Sequence, residues 1–234
     1  MWPRPWPPSS RRLSTVAIIG AGPLGRWLAL SAARAGFRVL LEDVMPLNLR
    51  HAQEFLRQQL GPGAPRMREM EESADSVGIS RKATAGFSTP VAAATFAQDD
   101  RIYLGPAQDD SFLGVAFVST IEDAVREADL VIDCVPDELE SKLEILWLLD
   151  RMAPPCTVLA TPTMRLSIAD LANCTYRPEK VIAIAAEASS LSASAGSEIL
   201  LRTTPHTAPE TVALLSMFWE RLGFAPRFEL SQAE

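Results

Sequence analysis

Residues 15–25 read TVAIIGAGPLG, and this stretch decides the fold. A short β-branched run breaks into Gly20-x-Gly22-x-x-Gly25 and then into a helix-like pattern, which predicts a strand, a tight turn and a helix. In a dinucleotide site each glycine has a separate task. Gly20 permits the turn at the strand end, Gly22 lets the backbone come close to a pyrophosphate, and Gly25 lets the helix pack on the strand. Amides at the start of that helix, in the segment Ala21, Gly22, Pro23, Leu24, lie at the positive end of its dipole and would hold phosphate oxygens. Pro23 falls in the first turn, where its missing N–H costs nothing. A tight strand-to-helix turn without a ligand uses the same three glycines, so the flanking sequence must decide.

The flanks favour the nucleotide. Leu24, Leu28, Ala32 and Ala35 fall on one helical face, Gly36 reads as a C-cap, and Arg38 to Asp43 (RVLLED) reads as a second strand ending in acid. This is a βαβ unit. Asp43 stands 18 residues after Gly25, about where a carboxylate must sit to accept hydrogen bonds from the adenosine ribose hydroxyls. The same carboxylate would repel a 2′-phosphate, so NAD is the expected cofactor rather than NADP.

Beyond this unit strands and helices alternate. Leu49, Ala52, Phe55, Leu56 and Leu60 predict a helix from Pro46 to about Leu60, stopped by Gly61-Pro62-Gly63. Gly114–Val118 reads as a strand, Ser119-x-x-Glu122 as a capping box opening a helix that ends near Asp129, and Leu130–Val135 as a buried parallel strand. Then come a long helix over 138–152, a strand over 157–160, a helix over 167–174 and a strand over 181–185. Thr207-x-x-Glu210 reads as the cap of a last helix running to about Leu222, and 226–230 as a closing strand. The alternation predicts an α/β fold with a doubly wound parallel sheet, the Rossmann NAD(P)-binding architecture.

One main domain over 15–230 is expected, interrupted by an irregular insertion at about 61–113 where no period is sustained. Residues 1–14 carry four prolines, three arginines and no acid and read as a disordered tail, with Trp2 and Trp6 free to dock on a partner. The net charge of -7 argues against nucleic-acid binding, and no apolar run reaches the ~18 residues that cross a bilayer. Cys134, Cys156 and Cys174 show no C-x-x-C spacing, which predicts reduced thiols and a cytoplasmic location. His51 and His206 are too few for a metal centre; the first is expected on an exposed helix face, the second in a turn. Met164 and Trp147 read as packing residues.

At this point the chain resembles the NAD-binding domain of the 3-hydroxyacyl-CoA dehydrogenases, oxidoreductases of fatty-acid metabolism. The resemblance runs through 16–44 (VAIIGAGPLGRWLALSAARAGFRVLLEDV), 121–146 (IEDAVREADLVIDCVPDELESKLEIL), 166–182 (LSIADLANCTYRPEKVI) and 202–212 (RTTPHTAPETV). It implies that Asp43 binds the adenosine ribose and that Val135, Asp137 and Lys142 line the nicotinamide half of the groove. The plainer alternative is that Asp137 and Lys142 pair at a helix start. It further implies an acyl-CoA substrate and a helical C-terminal domain beyond Glu234, so that a second copy or a partner chain would have to complete the cleft.

Two departures bear on chemistry. Where the family has S-N-T-S-S-L, this chain has Thr161-Pro-Thr-Met-Arg-Leu166, placing Met164 at the catalytic serine. Where the family has H-F-F-N-P, this chain has Ala185-Ala-Glu-Ala-Ser189, placing Ala185 at the catalytic histidine. An alanine accepts no proton, and general-base help is worth roughly 10²- to 10⁴-fold. Glu198 would be the glutamate that orients the histidine. Glu187, on the same strand face as Ala185, is a candidate replacement base, and Thr161, Thr163 and Ser189 offer hydroxyls near the same mouth. The expectation is an NAD-binding protein impaired in the family's reaction, with a non-catalytic NAD(H)-binding or scaffolding module as the alternative.

Overall fold

The computed structural model describes residues 13–60, 114–186 and 196–231. The expectations for the tail up to residue 12, the 61–113 insertion, Glu187 and Ser189 lie outside the described residues.

Eight strands form one sheet in the order β3-β2-β1-β4-β5-β6-β7-β8. They are β1 (Thr15–Ile19), β2 (Arg38–Glu42), β3 (Val115–Val118), β4 (Leu130–Asp133), β5 (Val158–Pro162), β6 (Val181–Ile184), β7 (Glu198–Thr203) and β8 (Ala225–Leu230). The helices are α1 (Pro23–Arg34), α2 (Pro46–Leu60), α3 (Ile121–Val125), α4 (Leu139–Met152), α5 (Ile168–Asn173) and α6 (Pro209–Arg221). Strand order reverses at β1, which pairs with β2 on one side and β4 on the other. That reversal opens a crevice at the strands' carboxyl ends.

The central strands are buried on both faces, which is why β1, β4 and β6 are apolar runs broken only by Thr15 and Asp133. Val16, Ile18, Val39, Leu41, Leu130 and Ile132 pack against α1, α2 and α6. Alternate residues, Ala17, Ile19, Leu40, Val131 and Leu159, pack against α3, α4 and α5. The first face is completed by an aromatic stack in which Trp219 meets Phe218 at 5.4 Å and Phe224 at 5.5 Å between ring centroids. Each such pair adds about 0.5–1.5 kcal/mol beyond its buried area.

Several sequence expectations are corrected. The sheet is parallel only through β6: β7 runs antiparallel to β6, and β8 follows β7. β7 escapes the alternation read from the sequence, because an antiparallel partner of β6 is specified by pairing across the sheet rather than by local periodicity. The cap of α3 is Thr120, one residue later than expected; its hydroxyl accepts from Asp123 N at 3.2 Å. Thr207 does not cap α6. Its hydroxyl accepts from Thr204 N at 2.9 Å, closing the turn before the helix, while Pro209 presets the first helical turn after Ala208. Leu13 and Ser14, counted with the tail by composition, belong to the folded body: Leu13 is buried, and Ser14 donates to the Asp129 carboxylate through N and Oγ at 2.9 and 3.0 Å.

Candidate functional site

The glycine loop divides its labour as its spacing suggests, and the geometry shows which glycine serves the fold. A Cβ on Gly25 would lie 1.8 Å from the Gly20 carbonyl oxygen, so α1 can approach β1 only with glycine there. Gly20 has φ +104° and would push a Cβ to within 3.1 Å of the Cys134 carbonyl. Gly22 is different: it has ordinary backbone angles as the N-cap of α1, and a Cβ there would meet nothing within 4 Å. No side chain caps this helix end, and its first turn carries no acid. The open space over Gly22 and the uncapped helix terminus suit an anionic ligand group.

Asp43, just past β2, turns its carboxylate onto this loop. Oδ2 accepts from Ala21 N at 2.7 Å, Oδ1 accepts from Met45 N at 2.8 Å, and the Asn48 amide donates to both oxygens at 3.1 Å. The carboxylate is fixed by the loop on one side and the entry to α2 on the other. Beside it Glu42 is buried, and burial first, then the Asp43 charge, pushes its carboxyl up to about 7.

From Gly22, Pro23 and Leu24 a cleft of about 620 Å³ runs past Cys134, Val135 and Asp137 to Pro162, Thr163, Met164, Arg165 and Ala186. Asp137 Oδ2 accepts from Met164 N at 3.2 Å, whereas its Oδ1 is buried without a hydrogen-bond partner. A sealed carboxylate oxygen in a cleft wall is an acceptor waiting for a donor, which a ligand hydroxyl or amide would supply. The Cys134 thiol in the same wall is held well above the thiol range, chiefly by burial and then by the Asp133 charge, so it is no nucleophile.

Lys142 does not line this cleft, nor does it pair with Asp137. It is fully buried, and its Nζ donates to Asp133 Oδ1 at 2.7 Å beneath the end of β4. The reason is electrostatic: a carboxylate at the inward-facing end of a buried strand requires a cation, and the first turns of α4 deliver one. Burial still pushes the Asp133 carboxyl up, against the pull of that ammonium, of the Thr161 hydroxyl on the neighbouring strand and of the Val135 backbone.

At the other end of the cleft, Met164 is 42% exposed rather than packed, and Ala186 rather than Ala185 lines the wall. Trp147 is likewise no core residue: it lies 47% exposed on the outer face of α4, with the Arg151 guanidinium 4.7 Å over its ring. Glu198 is exposed and pairs loosely with Arg227 at 3.9 Å. His51 and His206 are both exposed, on α2 and in a turn. Among the described residues no helix is long and apolar enough to cross a membrane.

Three groups carry chemistry that the sequence pattern did not flag. Asn48 signals itself only as an amide in the first turn after an acid. Asp133 was visible as a charge inside the apolar run LVID. Arg165 was visible only as a cation where the resemblance places a serine.

Comparison with known proteins agrees with this architecture. The family model described as 3-hydroxyacyl-CoA dehydrogenase, NAD binding domain, matches residues 15–98 and 92–226. A probable 3-hydroxybutyryl-CoA dehydrogenase of Bacillus subtilis is 29% identical over 170 residues, covering 73% of this chain and 47% of its own length. The mitochondrial hydroxyacyl-coenzyme A dehydrogenase of Sus scrofa is 27% identical over 174 residues, covering 70% and 43%. The chain thus spans under half the length of these curated relatives. Among solved structures, the 3-hydroxybutyryl-CoA dehydrogenase of Escherichia coli K12 superposes with a TM-score of 0.68 at 23% identity, over 94% of this chain and 39% of that one. A 5-formyl-3-hydroxy-2-methylpyridine 4-carboxylic acid 5-dehydrogenase gives 0.63 at 24% identity, over 94% and 59%; at these identities the likeness is one of fold. With the family model spanning nearly the whole described body, the chain belongs to the 3-hydroxyacyl-CoA dehydrogenase NAD-binding domain family.

Proposed function

We propose that this chain binds NAD along the crevice at the carboxyl ends of β2, β1 and β4, and that it is impaired in the hydride transfer its family performs. The observation that carries the binding half is the vacant space over Gly22 beside a carboxylate, Asp43, already turned onto the same loop. In this reading the backbone at Ala21 to Gly25 and the α1 terminus hold the pyrophosphate. Asp43 takes the adenosine ribose by exchanging the Asn48 amide for ribose hydroxyls, and its charge disfavours a 2′-phosphate. Val135 and Asp137 line the nicotinamide half, with Asp137 Oδ1 as acceptor. Lys142 acts from below by neutralising Asp133, which fixes the strand end from which the Val135–Asp137 loop departs. The bound cofactor would supply a hydride acceptor and donor at its nicotinamide ring.

Proton movement is the weak point. Met164 and Ala186 face the cleft, and neither a thioether nor a methyl group accepts a proton at neutral pH. Ala185, where the family carries its histidine, offers none either. The family's reaction should therefore run at least about 10²-fold below that of a relative with its base in place. On the same reading residues 15–230 form one domain with 61–113 inserted, and its ordinary substrate would be an acyl-CoA of fatty-acid metabolism. The relatives' own names, however, divide between CoA thioesters and a small pyridine carboxylate.

The test is a fluorescence titration with NADH, followed by an assay of 3-hydroxybutyryl-CoA oxidation. Saturable NADH binding with turnover depressed or absent is expected. No binding at millimolar NADH sinks the cofactor assignment, and turnover at a full dehydrogenase's rate sinks the impairment. Binding with no turnover at all selects the NAD(H)-binding module over the slow enzyme.

A further inference from the structure

The reacting end of the cleft is poor in acid–base groups and carries one lining cation, Arg165. Arg165 is exposed and lines the cleft directly after Met164. Its guanidinium makes no ion pair and no hydrogen bond among the described residues, in a chain of net charge -7 that ties up most of its described arginines. The peptide carrying it is clamped on both sides: Asp137 Oδ2 accepts from Met164 N at 3.2 Å, and Arg202 Nη1 donates to Met164 O at 3.2 Å. Arg202 reaches this carbonyl from β7, opposite Ala183 of β6, and so adds a second cation against the Met164–Arg165 peptide. Asp137 is the carboxylate at hand, and it is engaged with the Met164 amide rather than with Arg165.

We infer that Arg165, on its braced peptide, is an anion site for a small free carboxylate occupying the cleft beyond the cofactor; this rests on the cofactor reading above. An unpaired guanidinium offers a planar fork of donors that matches a carboxylate. A coenzyme A phosphate is the other source of negative charge. It is separated from the thioester carbonyl by the long pantetheine arm, so a CoA ester reacting between Met164 and Ala186 would carry its phosphates far outside this part of the cleft. A carboxylate one or two bonds from the reacting carbon places its charge at Arg165.

The test uses the full-length protein loaded with NADH, with oxalate as the probe, neutral oxamide as its control and coenzyme A as the competing anion. NADH affinity is measured first on the wild type and on Arg165→Gln and Arg165→Lys. We expect calorimetry to show oxalate binding, no oxamide binding, at least a tenfold loss in Arg165→Gln and partial retention in Arg165→Lys. Oxalate binding that is absent from the loaded wild type, or unchanged in Arg165→Gln, overturns the inference. So does coenzyme A displacing oxalate with the same dependence on Arg165, which would assign the charge to a phosphate. If NADH itself does not bind, the cofactor reading fails on its own. Oxalate is then titrated into the cofactor-free protein, where the loss in Arg165→Gln still decides the anion site.

Discussion

The two ends of the cleft hang from the same sheet edge and are furnished in opposite ways. At the adenosine end the carboxylate is committed: Asp43 gathers the Ala21 and Met45 amides and the Asn48 side chain, and the glycines leave a space over the uncapped start of α1 shaped by backbone alone. At the reacting end the cleft is lined by Pro162, Thr163, Met164, Ala186 and an unpaired Arg165, with one oxygen of the Asp137 carboxylate left without a partner in the wall. Binding depends on fixed amides and one carboxylate, which strand and helix termini position cheaply. Proton transfer depends on one titratable side chain at one place, and a single substitution removes it.

The sharpest way to break this contrast is to compare two glycines of one loop. Gly25→Ala drives a Cβ into a backbone oxygen that cannot yield, and a loss of more than about 4 kcal/mol in urea unfolding, or failure to fold, is expected. Gly22→Ala meets open space, so its stability should stay within about 0.5 kcal/mol of wild type. Its NADH affinity should nonetheless fall at least about tenfold, because the methyl fills the ligand's approach. If Gly22→Ala proves as destabilising as Gly25→Ala, the loop is purely structural and the adenosine end loses its distinction.

Next in size is the charge pair beneath the cleft floor. Lys142→Met leaves Asp133 buried and uncompensated and should cost about 3–5 kcal/mol in the same unfolding experiment. Replacing both partners by apolar residues, Asp133→Leu with Lys142→Met, should regain most of that loss. The double variant also separates a support from a ligand contact. If Lys142 acts only through Asp133, the refolded double variant keeps NADH affinity close to wild type, whereas a direct contact would show as weakened binding in a stable protein.

At the adenosine end, Asp43→Ala removes charge-assisted hydrogen bonds worth about 1.5–3 kcal/mol, which is roughly 10- to 150-fold in NADH affinity. It also removes the repulsion of a 2′-phosphate, so the preference for NADH over NADPH should narrow. Equal loss of both nucleotides would mean that the carboxylate only supports the loop.

How far all this was legible in the sequence follows the same division. The βαβ unit was readable because its determinants are local: β-branched runs, three glycines at fixed spacing and an acid after the next strand. α2 was bounded correctly by Pro46 and its apolar periodicity through Leu60. β7 was not readable from the alternation, because its antiparallel pairing with β6 is set across the sheet and carries no local mark. Lys142 was misplaced for a related reason. Position on a helix says which turn a lysine occupies, but whether it faces a cleft or a buried Asp133 depends on two distant strands. The reacting end was legible chiefly by subtraction, as Met164 and Ala185 standing where the resemblance expects the catalytic serine and the histidine base, while Trp147 and Met164 misled because hydrophobic side chains were assigned to the core.

The smallest expected effect lies in Glu42, which makes the adenosine end a place where binding geometry opposes stability. Its carboxyl titrates near 7 in the folded chain, against about 4.5 for a free glutamate, because burial and the adjacent Asp43 both disfavour its charge. The folded state therefore holds this proton more tightly than the unfolded chain. Below about 4.5 both states are protonated and nothing is lost; as pH rises through the window to about 7 the folded state must give up a proton it favours, and stability falls. Glu42→Gln keeps the shape and removes the titration. Its Tm should match wild type at the acid end of that window and exceed it at pH 8 by roughly 2–4 °C, the shift that about 1 kcal/mol produces in a chain of this size. A gain of equal size at both pH values would assign the effect to packing. A loss at pH 8 with no change at the acid end would mean that Glu42 is charged and stabilising in the fold, and that Glu42 and Asp43 are not held against their own repulsion.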